Sequence, residues 1–90
     1  MPAAPPNTMR FLRLLERLGY ENATVYGVVH GRRLQLAYKE GNRMVWYKGS
    51  VSVVCSSGHV DIFMDDGDYE QYSIDELESM YEKGELRRPR

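Results

Sequence analysis

The chain has 90 residues and a net charge of −1, with 42% hydrophobic and 28% charged residues. These values are typical of one small globular domain and exclude a multidomain enzyme, a coiled coil and a collagen-like chain. A single cysteine, Cys55, excludes an internal disulfide, and with only His30 and His59 beside it we expect no four-ligand zinc site and no cofactor.

The charge is unevenly distributed along the chain. Residues 1–48 carry 8 Lys or Arg against 3 acidic residues, a net +5, and residues 49–90 carry 4 against 10, a net −6. A general nucleic-acid binder usually presents a net basic surface, so this distribution argues against that class. It favours a basic partner, with simple solvation of the charges as the alternative. No apolar run is long enough for a membrane span, and we expect no membrane partner.

The N-terminal part predicts a tail followed by one helix. Residues 1–7 include three prolines and predict a disordered tail. Residues 8–19 predict an amphipathic helix with Thr8 as its N-cap and Gly19 as its C-terminal stop. Three turns of helix are unstable alone, so the apolar face must pack on another element, for which the surface around Phe63 is one candidate. That apolar face comprises Phe11, Leu15 and Leu18.

Residues 24–84 predict a small five-stranded β-barrel, because short Val-, Tyr- and Ile-rich stretches alternate with turns. The capping box that starts at Ser73 predicts a helical turn at Ile74–Leu77, while a closing strand at Met80–Tyr81 competes for the residues that follow. Residues 85–90 predict a polar tail. The predicted strands are Thr24–Val29, which a turn at His30 and Gly31 ends, Arg33–Tyr38, Met44–Cys55, Val60–Met64 and Tyr69–Tyr72.

The long strand contains a conflict between alternation and burial. Trp46 is predicted to be a core residue, but strict alternation would place Val51 and Val53 on the opposite face of the sheet. A β-bulge at Gly49 would return both valines to the face of Trp46. Tyr47 would then point away from the core. The predicted core comprises Leu34, Leu36, Trp46, Val51, Val53 and Ile62, with Met64 at its rim.

Three stretches in a fixed order carry a family resemblance. They are Leu34–Tyr38, Val45–Val51 with its Trp-Tyr-x-Gly-x-Val pattern, and Val60–Asp68 with its Asp-Asp-Gly-Asp pattern. Together they resemble the Tudor domain and its relatives in the Royal superfamily, over about residues 31–81. The resemblance implies an SH3-like barrel and a non-enzymatic recognition module, here with an added N-terminal helix and a short C-terminal helical turn.

The resemblance also implies a ligand and a site. In this family an aromatic cage binds methylated lysine or arginine on a histone tail or another basic peptide, which implies chromatin association and a nuclear location. Two aromatic cage positions fall on Tyr38 and Tyr47, and the acidic one falls on Asp66. The position before Asp-Asp-Gly, usually aromatic, is Met64, and Asp68 stands where some relatives have another ring. The expected site is therefore a partial cage.

Two alternatives to the methyl-lysine reader are open. One is a protein-interaction barrel without methyl selectivity, in which the tyrosines merely pack. The other is a nucleic-acid-binding barrel that uses the basic half of the chain. The arginines available for it are Arg10, Arg13, Arg17, Arg32 and Arg33.

Overall fold

The described part of the chain forms a five-stranded antiparallel β-sheet with two helices. The computed structural model describes residues 6–21 and 31–89, so the predicted strand Thr24–Val29 and the predicted turn residue His30 lie outside the described residues. No helix within the described ranges is long and apolar enough to cross a membrane. The elements are α1 (Pro6–Arg17), β1 (Arg33–Glu40), β2 (Arg43–Val54), β3 (His59–Met64), β4 (Tyr69–Ser73), α2 (Ile74–Glu82) and β5 (Leu86–Arg87).

The strands are ordered β4-β3-β2-β1-β5. Strands β1 to β4 therefore form a meander, and α2 returns the chain so that β5 pairs with β1. The prediction of a mainly β domain is confirmed. The prediction of a closed barrel is not confirmed, because β4 and β5 form the two edges of the sheet and no pairing joins them within the described ranges.

Helix α1 is an integral part of the core. Phe11, Leu12 and Leu15 are fully buried, together with Leu36 of β1 and Ile62 of β3. We call the face of the sheet that carries these two strand residues the inner face. The helix covers this inner face and not the surface around Phe63, whose side chain is 52% exposed on the opposite, outer face. The candidate surface for the helix was therefore wrong, because α1 completes the core itself.

The two ends of α1 differ in how well the sequence predicts them. The helix begins at Pro6, and Thr8 lies buried inside its first turns and is not the N-cap. The predicted stop at Gly19 is confirmed, with φ at +105°. Its N–H donates to the Glu16 carbonyl at 3.0 Å, and the next N–H, of Tyr20, donates to the Leu15 carbonyl at 3.2 Å. This pair of bonds is a Schellman motif, which needs a residue that tolerates positive φ.

Helix α2 also extends beyond its predicted length. The capping box at Ser73 is present, since its Oγ accepts from the Glu76 N–H at 3.0 Å and its N–H donates to Glu76 Oε1 at 3.3 Å. The helix continues to Glu82, so no strand forms at Met80–Tyr81. The last strand lies later, at β5, where Leu86 is buried opposite Leu36. The tail predicted over residues 85–90 is therefore wrong at Leu86 and Arg87, because pairing with β1 buries Leu86.

The register of β2 reverses the predicted faces of its central residues. The bulge lies between Val51 and Val53, at Ser52, and not at Gly49, which pairs regularly with Leu34 and Met64. Alternation therefore places Tyr47, Gly49 and Val51 on the inner face. Trp46 lies on the outer face and is only partly buried, and Val53 is 47% exposed. Both core assignments were wrong because the bulge lies three residues later than predicted.

Trp46 is covered on the outer face by the last strand. The Arg87 guanidinium carbon lies 3.7 Å from the centre of the indole ring, and Arg87 Nε donates to Gln35 Oε1 at 2.9 Å. A guanidinium stacked on an indole is a cation-π contact, which stabilises both side chains where water is partly excluded. This contact connects β5 to β2 across β1.

Glycine is required at position 49 by a close approach between strands. Its φ is not positive, so a side chain is not excluded by the backbone conformation. A Cβ at this position would lie 2.7 Å from Ile62 Cγ2 and 2.8 Å from Met64 Sδ. Both distances are far below van der Waals contact, so the two side chains of β3 occupy the space that any residue other than glycine would need.

We expect Gly49→Ala to lower the free energy of unfolding by about 1–3 kcal/mol, because the added methyl group overpacks this contact. Urea denaturation measures the loss. In the double variant with Met64→Ala the loss should be smaller than the sum of the two single losses, since removal of the thioether makes room for the methyl group. Strict additivity would show that the two side chains do not compete for that space.

We expect Phe11→Ala to cost about 3–5 kcal/mol, because it removes a fully buried ring from the contact between α1 and the sheet. Arg13→Ala, on the exposed face of the same helix, is the matched control and should change stability by less than about 0.5 kcal/mol. Equal urea midpoints for the two variants would contradict the placement of α1 in the core.

Candidate functional site

One cavity gathers all five residues that the sequence predicts for the site. It has a volume of about 230 Å³ and lies at the end of the inner face where the β1–β2 hairpin meets the turn between β3 and β4. Two further carboxylates, Glu40 and Glu70, also line it and were not among the predicted site residues. Glu40 lies two positions after Tyr38 on β1, so alternation is the signal that identifies it. Glu70 lies at the start of β4, two positions after Asp68 of the turn. The lining residues are Tyr38, Glu40, Tyr47, Met64, Asp66, Asp68 and Glu70.

The two tyrosines meet because the β1–β2 register makes them diagonal neighbours. Tyr38 pairs with Val45, and Tyr47, two positions further along β2, lies on the same face. Aromatic side chains at such diagonal positions are within reach of each other. Their ring centres are 5.6 Å apart and the ring planes are inclined at 62°. This edge-to-face arrangement leaves two ring surfaces that face in different directions, as two walls of a concave site require.

Met64 forms the floor between the cavity and the core. Its side chain is only 3% exposed and belongs to the same apolar cluster as Leu36 and Ile62. It was predicted at the rim, and it is buried because Gly49 opposite lets the thioether pack across β2. The floor is therefore anchored by the core rather than by a loop.

A tight turn positions the acidic side of the cavity. The Gly67 N–H donates to the Met64 carbonyl at 3.0 Å, and the Met64 N–H donates to the Asp68 carbonyl at 2.8 Å. Gly67 has φ at +99°, a conformation that glycine adopts without a steric penalty. Asp66 Oδ1 accepts from the Asp68 N–H at 3.0 Å, which orients the Asp66 carboxylate.

An ion pair fixes this turn to the sheet. The Arg33 guanidinium donates to both carboxylate oxygens of Asp65, at 2.7 and 2.5 Å, and also to Ser50 Oγ at 2.8 Å. The Asp65 N–H donates to the Lys48 carbonyl at 2.9 Å. The hydrogen bonds from Arg33 hold the pKa of the Asp65 carboxyl below its usual value of 3.8, and they raise the pKa of Arg33 in turn. A bidentate pair of this kind restrains the geometry of the turn.

The cavity is strongly acidic. No ion pair within the described residues neutralises any of its four carboxylates. The Tyr47 hydroxyl donates to Glu40 Oε1, and this bond raises the pKa of the Tyr47 phenol because the ionised form would face a carboxylate. Asp66 adds to that effect through its charge. Two rings, a thioether and four carboxylates together favour a cationic ligand with an apolar surface.

Among the residues that the structure describes, the other chemically active side chains do not assemble a second site. Cys55 is a free, partly buried thiol, and the exposed His59 ring lies with its Nδ1 3.3 Å from Ser57 Oγ. Within residues 6–21 and 31–89 no group of three His, Cys, Asp or Glu side chains could hold a metal ion. A second cavity of about 220 Å³ lies between α1, the β2–β3 turn and the start of α2.

Comparisons with protein-family models, with curated proteins and with solved structures give no significant match.

We expect the Arg33–Asp65 pair to contribute to stability in a pH-dependent way. Because the pKa of Asp65 is lowered in the folded state, its contribution is complete above the unfolded-state pKa near 3.8 and is lost as the pH falls through the lowered value. The free energy of unfolding, measured from about pH 6 down to about pH 2, should fall more steeply for the wild type than for Asp65→Asn, with the two curves converging in acid. Arg33→Gln should flatten the profile in the same way. Parallel profiles for all three proteins would contradict the pairing.

Proposed function

We propose that this chain is a Tudor-like recognition module that binds a methylated lysine on a histone tail or another basic peptide. Tyr38 and Tyr47 supply two aromatic walls, Met64 supplies the floor, and Asp66 and Asp68 supply the acidic rim. The edge-to-face tyrosine pair inside an acidic cavity is the observation that carries this proposal. Methylated arginine is the lesser alternative ligand. Binding of this kind requires no catalytic residue and no cofactor, and it implies association with chromatin in the nucleus.

The chemistry of a methylated ammonium group matches this combination of side chains. Methylation removes hydrogen-bond donors and weakens hydration while the positive charge remains, so ring faces and a thioether become better surroundings than water. A carboxylate such as Asp66 can also accept a hydrogen bond from a mono- or dimethylated ammonium, which still carries N–H groups. Two rings rather than three or four predict modest affinity, and the carboxylates predict tolerance of the lower methylation states.

The strand order supports the finer proposal of an SH3-like barrel. Strands β1 to β4 form a meander, and the short strand β5 returns beside β1. A sheet of this order closes into a barrel when its two edges approach each other. Helix α2 connects β4 to β5 along the chain and packs its buried Ile74 and Leu77 into the same core. We propose that α2 takes the place of direct pairing between the two edges.

The distribution of paired charges supports a basic ligand more than nucleic acid. Arg10 pairs with Asp75 at 2.6 Å and with Glu78, so the basic and acidic halves of the chain neutralise each other between α1 and α2. Arg33 is engaged by Asp65 in the same way. Arg17 and Arg32 lie against the rings of Tyr81 and Tyr20, at 4.7 and 4.8 Å from the ring centres. The arginines proposed for phosphate contacts are thus mostly engaged within the domain.

A protein-interaction barrel without methyl selectivity remains the second candidate function. The observation that favours it is the acidity of the cavity, since four carboxylates attract an unmodified basic peptide as well. The response to methylation separates the two functions, because only cation-π contact with the tyrosines rewards the methyl groups.

NMR titration with matched peptides tests the proposal. We expect a basic peptide with dimethyllysine to shift the resonances of Tyr38, Tyr47 and Asp66 more than its unmodified counterpart does. Tyr47→Ala should weaken binding of the methylated peptide by about 2- to 30-fold, the range expected for loss of one cation-π wall. Tyr47→Phe keeps the ring and loses only the bond to Glu40, so it should retain most of the binding.

The control variant is Met44→Ala, which removes an exposed apolar side chain of β2 that does not line the cavity. It should leave binding unchanged, and the spectra of all variants should show a folded domain. Equal shifts for methylated and unmodified peptides would contradict methyl reading and would favour the interaction barrel. A steep loss of affinity for an oligonucleotide with rising salt, without any peptide binding, would favour nucleic acid instead.

A further inference from the structure

Strand β4 presents an edge, here called the free edge, that begins beside the cavity and has no strand partner within the described residues. Within the described parts of the chain it pairs only with β3. Its first three residues, Tyr69, Glu70 and Gln71, are all exposed, and Glu70 is one of the carboxylates that line the cavity. The strand contains no proline, no lysine and no bulge, which are common devices that keep a sheet edge from pairing with another chain.

The hydrogen-bond pattern shows which backbone groups face outward. The Met64 N–H donates to the Asp68 carbonyl, and the Ser73 N–H donates to the Glu76 side chain. Antiparallel pairs alternate between hydrogen-bonded and non-hydrogen-bonded positions. The bond between Met64 and Asp68 makes the pairs Phe63–Tyr69 and Asp61–Gln71 non-hydrogen-bonded positions. The N–H and C=O groups of Tyr69 and Gln71 therefore point away from β3, toward the free edge. Glu70 and Tyr72 direct theirs toward β3.

An exposed aromatic pair lies on the outer face at the same strand. Phe63 and Tyr69 are cross-strand partners, 52% and 54% exposed, with ring centres 6.2 Å apart. The Tyr69 hydroxyl donates to Asp61 Oδ2 at 3.2 Å, which holds its ring across β3. Two adjacent, half-exposed rings next to an open strand edge form a surface suited to an apolar side chain. Neither of these two rings belongs to the core cluster or lines the cavity.

We propose that the peptide ligand adds to the sheet as a strand along β4, with its modified lysine in the cavity and an apolar side chain against Phe63 and Tyr69. This inference rests on the proposed function of the cavity. Successive side chains of a strand point to opposite faces of the sheet. The cavity opens on the inner face and the aromatic pair lies on the outer one. The apolar residue of the ligand must therefore lie an odd number of positions from the modified lysine.

Charge identifies the occupant as a basic peptide. Asp66, Asp68 and Glu70 lie in sequence along the path from the cavity into β4, and no ion pair within the described residues neutralises them. A second copy of this chain would bring its own carboxylates to the same edge, where like charges repel. A basic segment gains attraction from these side chains and main-chain hydrogen bonds from the outward-facing groups of Tyr69 and Gln71.

Amide hydrogen exchange tests the strand addition directly. On saturation with a dimethyllysine peptide, the N–H groups of Tyr69 and Gln71 should become protected, by about tenfold or more. The N–H groups of Glu70 and Tyr72 already bond to β3 and serve as internal controls, with little change expected. Methyl-dependent shifts at Tyr38 and Tyr47 without protection at Tyr69 and Gln71 would overturn the strand addition and leave the proposed function standing.

A peptide series tests the spacing rule. Each peptide carries dimethyllysine at its centre, arginines at its ends and one leucine in an alanine background, at each position from −3 to +3. We expect a gain of about 2- to 5-fold in affinity at one or more odd positions and none at even positions. Phe63→Ala and Tyr69→Ala should abolish the gain and keep the dependence on methylation. Tyr47→Ala should remove the dependence on methylation and keep the gain from leucine.

The remaining outcomes are equally decisive. A gain at even positions, or an equal gain at all positions, would overturn the spacing rule and with it the strand geometry. Concentration-dependent dimerisation of the free protein that protects the Tyr69 and Gln71 amides would assign the edge to a second copy and overturn the peptide proposal. Edge protection that requires the same concentration of methylated and unmodified peptide would overturn the reader function of the cavity and the placement of a modified lysine in it.

Discussion

The absence of a side chain at Gly49 is the constraint on which the site depends. It lets Ile62 and Met64 pack directly across β2, at distances that exclude any Cβ. Because β2 passes this point in regular register, Tyr47 stays on the inner face beside Tyr38. A bulge at Gly49 would have turned Tyr47 to the outer face. One close contact between strands thus sets both the floor and a wall of the cavity.

The cavity is an extension of the hydrophobic core rather than a loop site. Met64 is shared between the two, and the inner face continues from Leu36 and Ile62 into the tyrosine pair without interruption. Helix α1 fills the other end of that face with Phe11 and Leu15. Side chains held by packing keep their rotamers, so the site is preorganised to the extent that the core is. A change in core packing therefore also changes the shape of the cavity.

The charges of the chain have two uses. Part of the basic half pairs with the acidic half inside the domain, through Arg10 between the helices and Arg33 at the β3–β4 turn. The carboxylates around the cavity take no part in these pairs, so negative charge is concentrated where the tyrosine rings lie. A net charge of −1 therefore conceals a strongly acidic site. Intramolecular pairing therefore accounts for part of the charge asymmetry that the sequence shows.

The sequence alone determined the features that depend on local chemistry. Gly19 ends α1 and Ser73 begins α2 because backbone conformation and capping need only neighbouring residues. The five site residues were predicted from the family resemblance, and all of them line one cavity. Tertiary structure alone decided the position of the bulge, the outer placement of Trp46, the length of α2 and the pairing of β5 with β1. Each of these depends on a partner distant in sequence, and a residue's own neighbours do not specify which partner will pack against it.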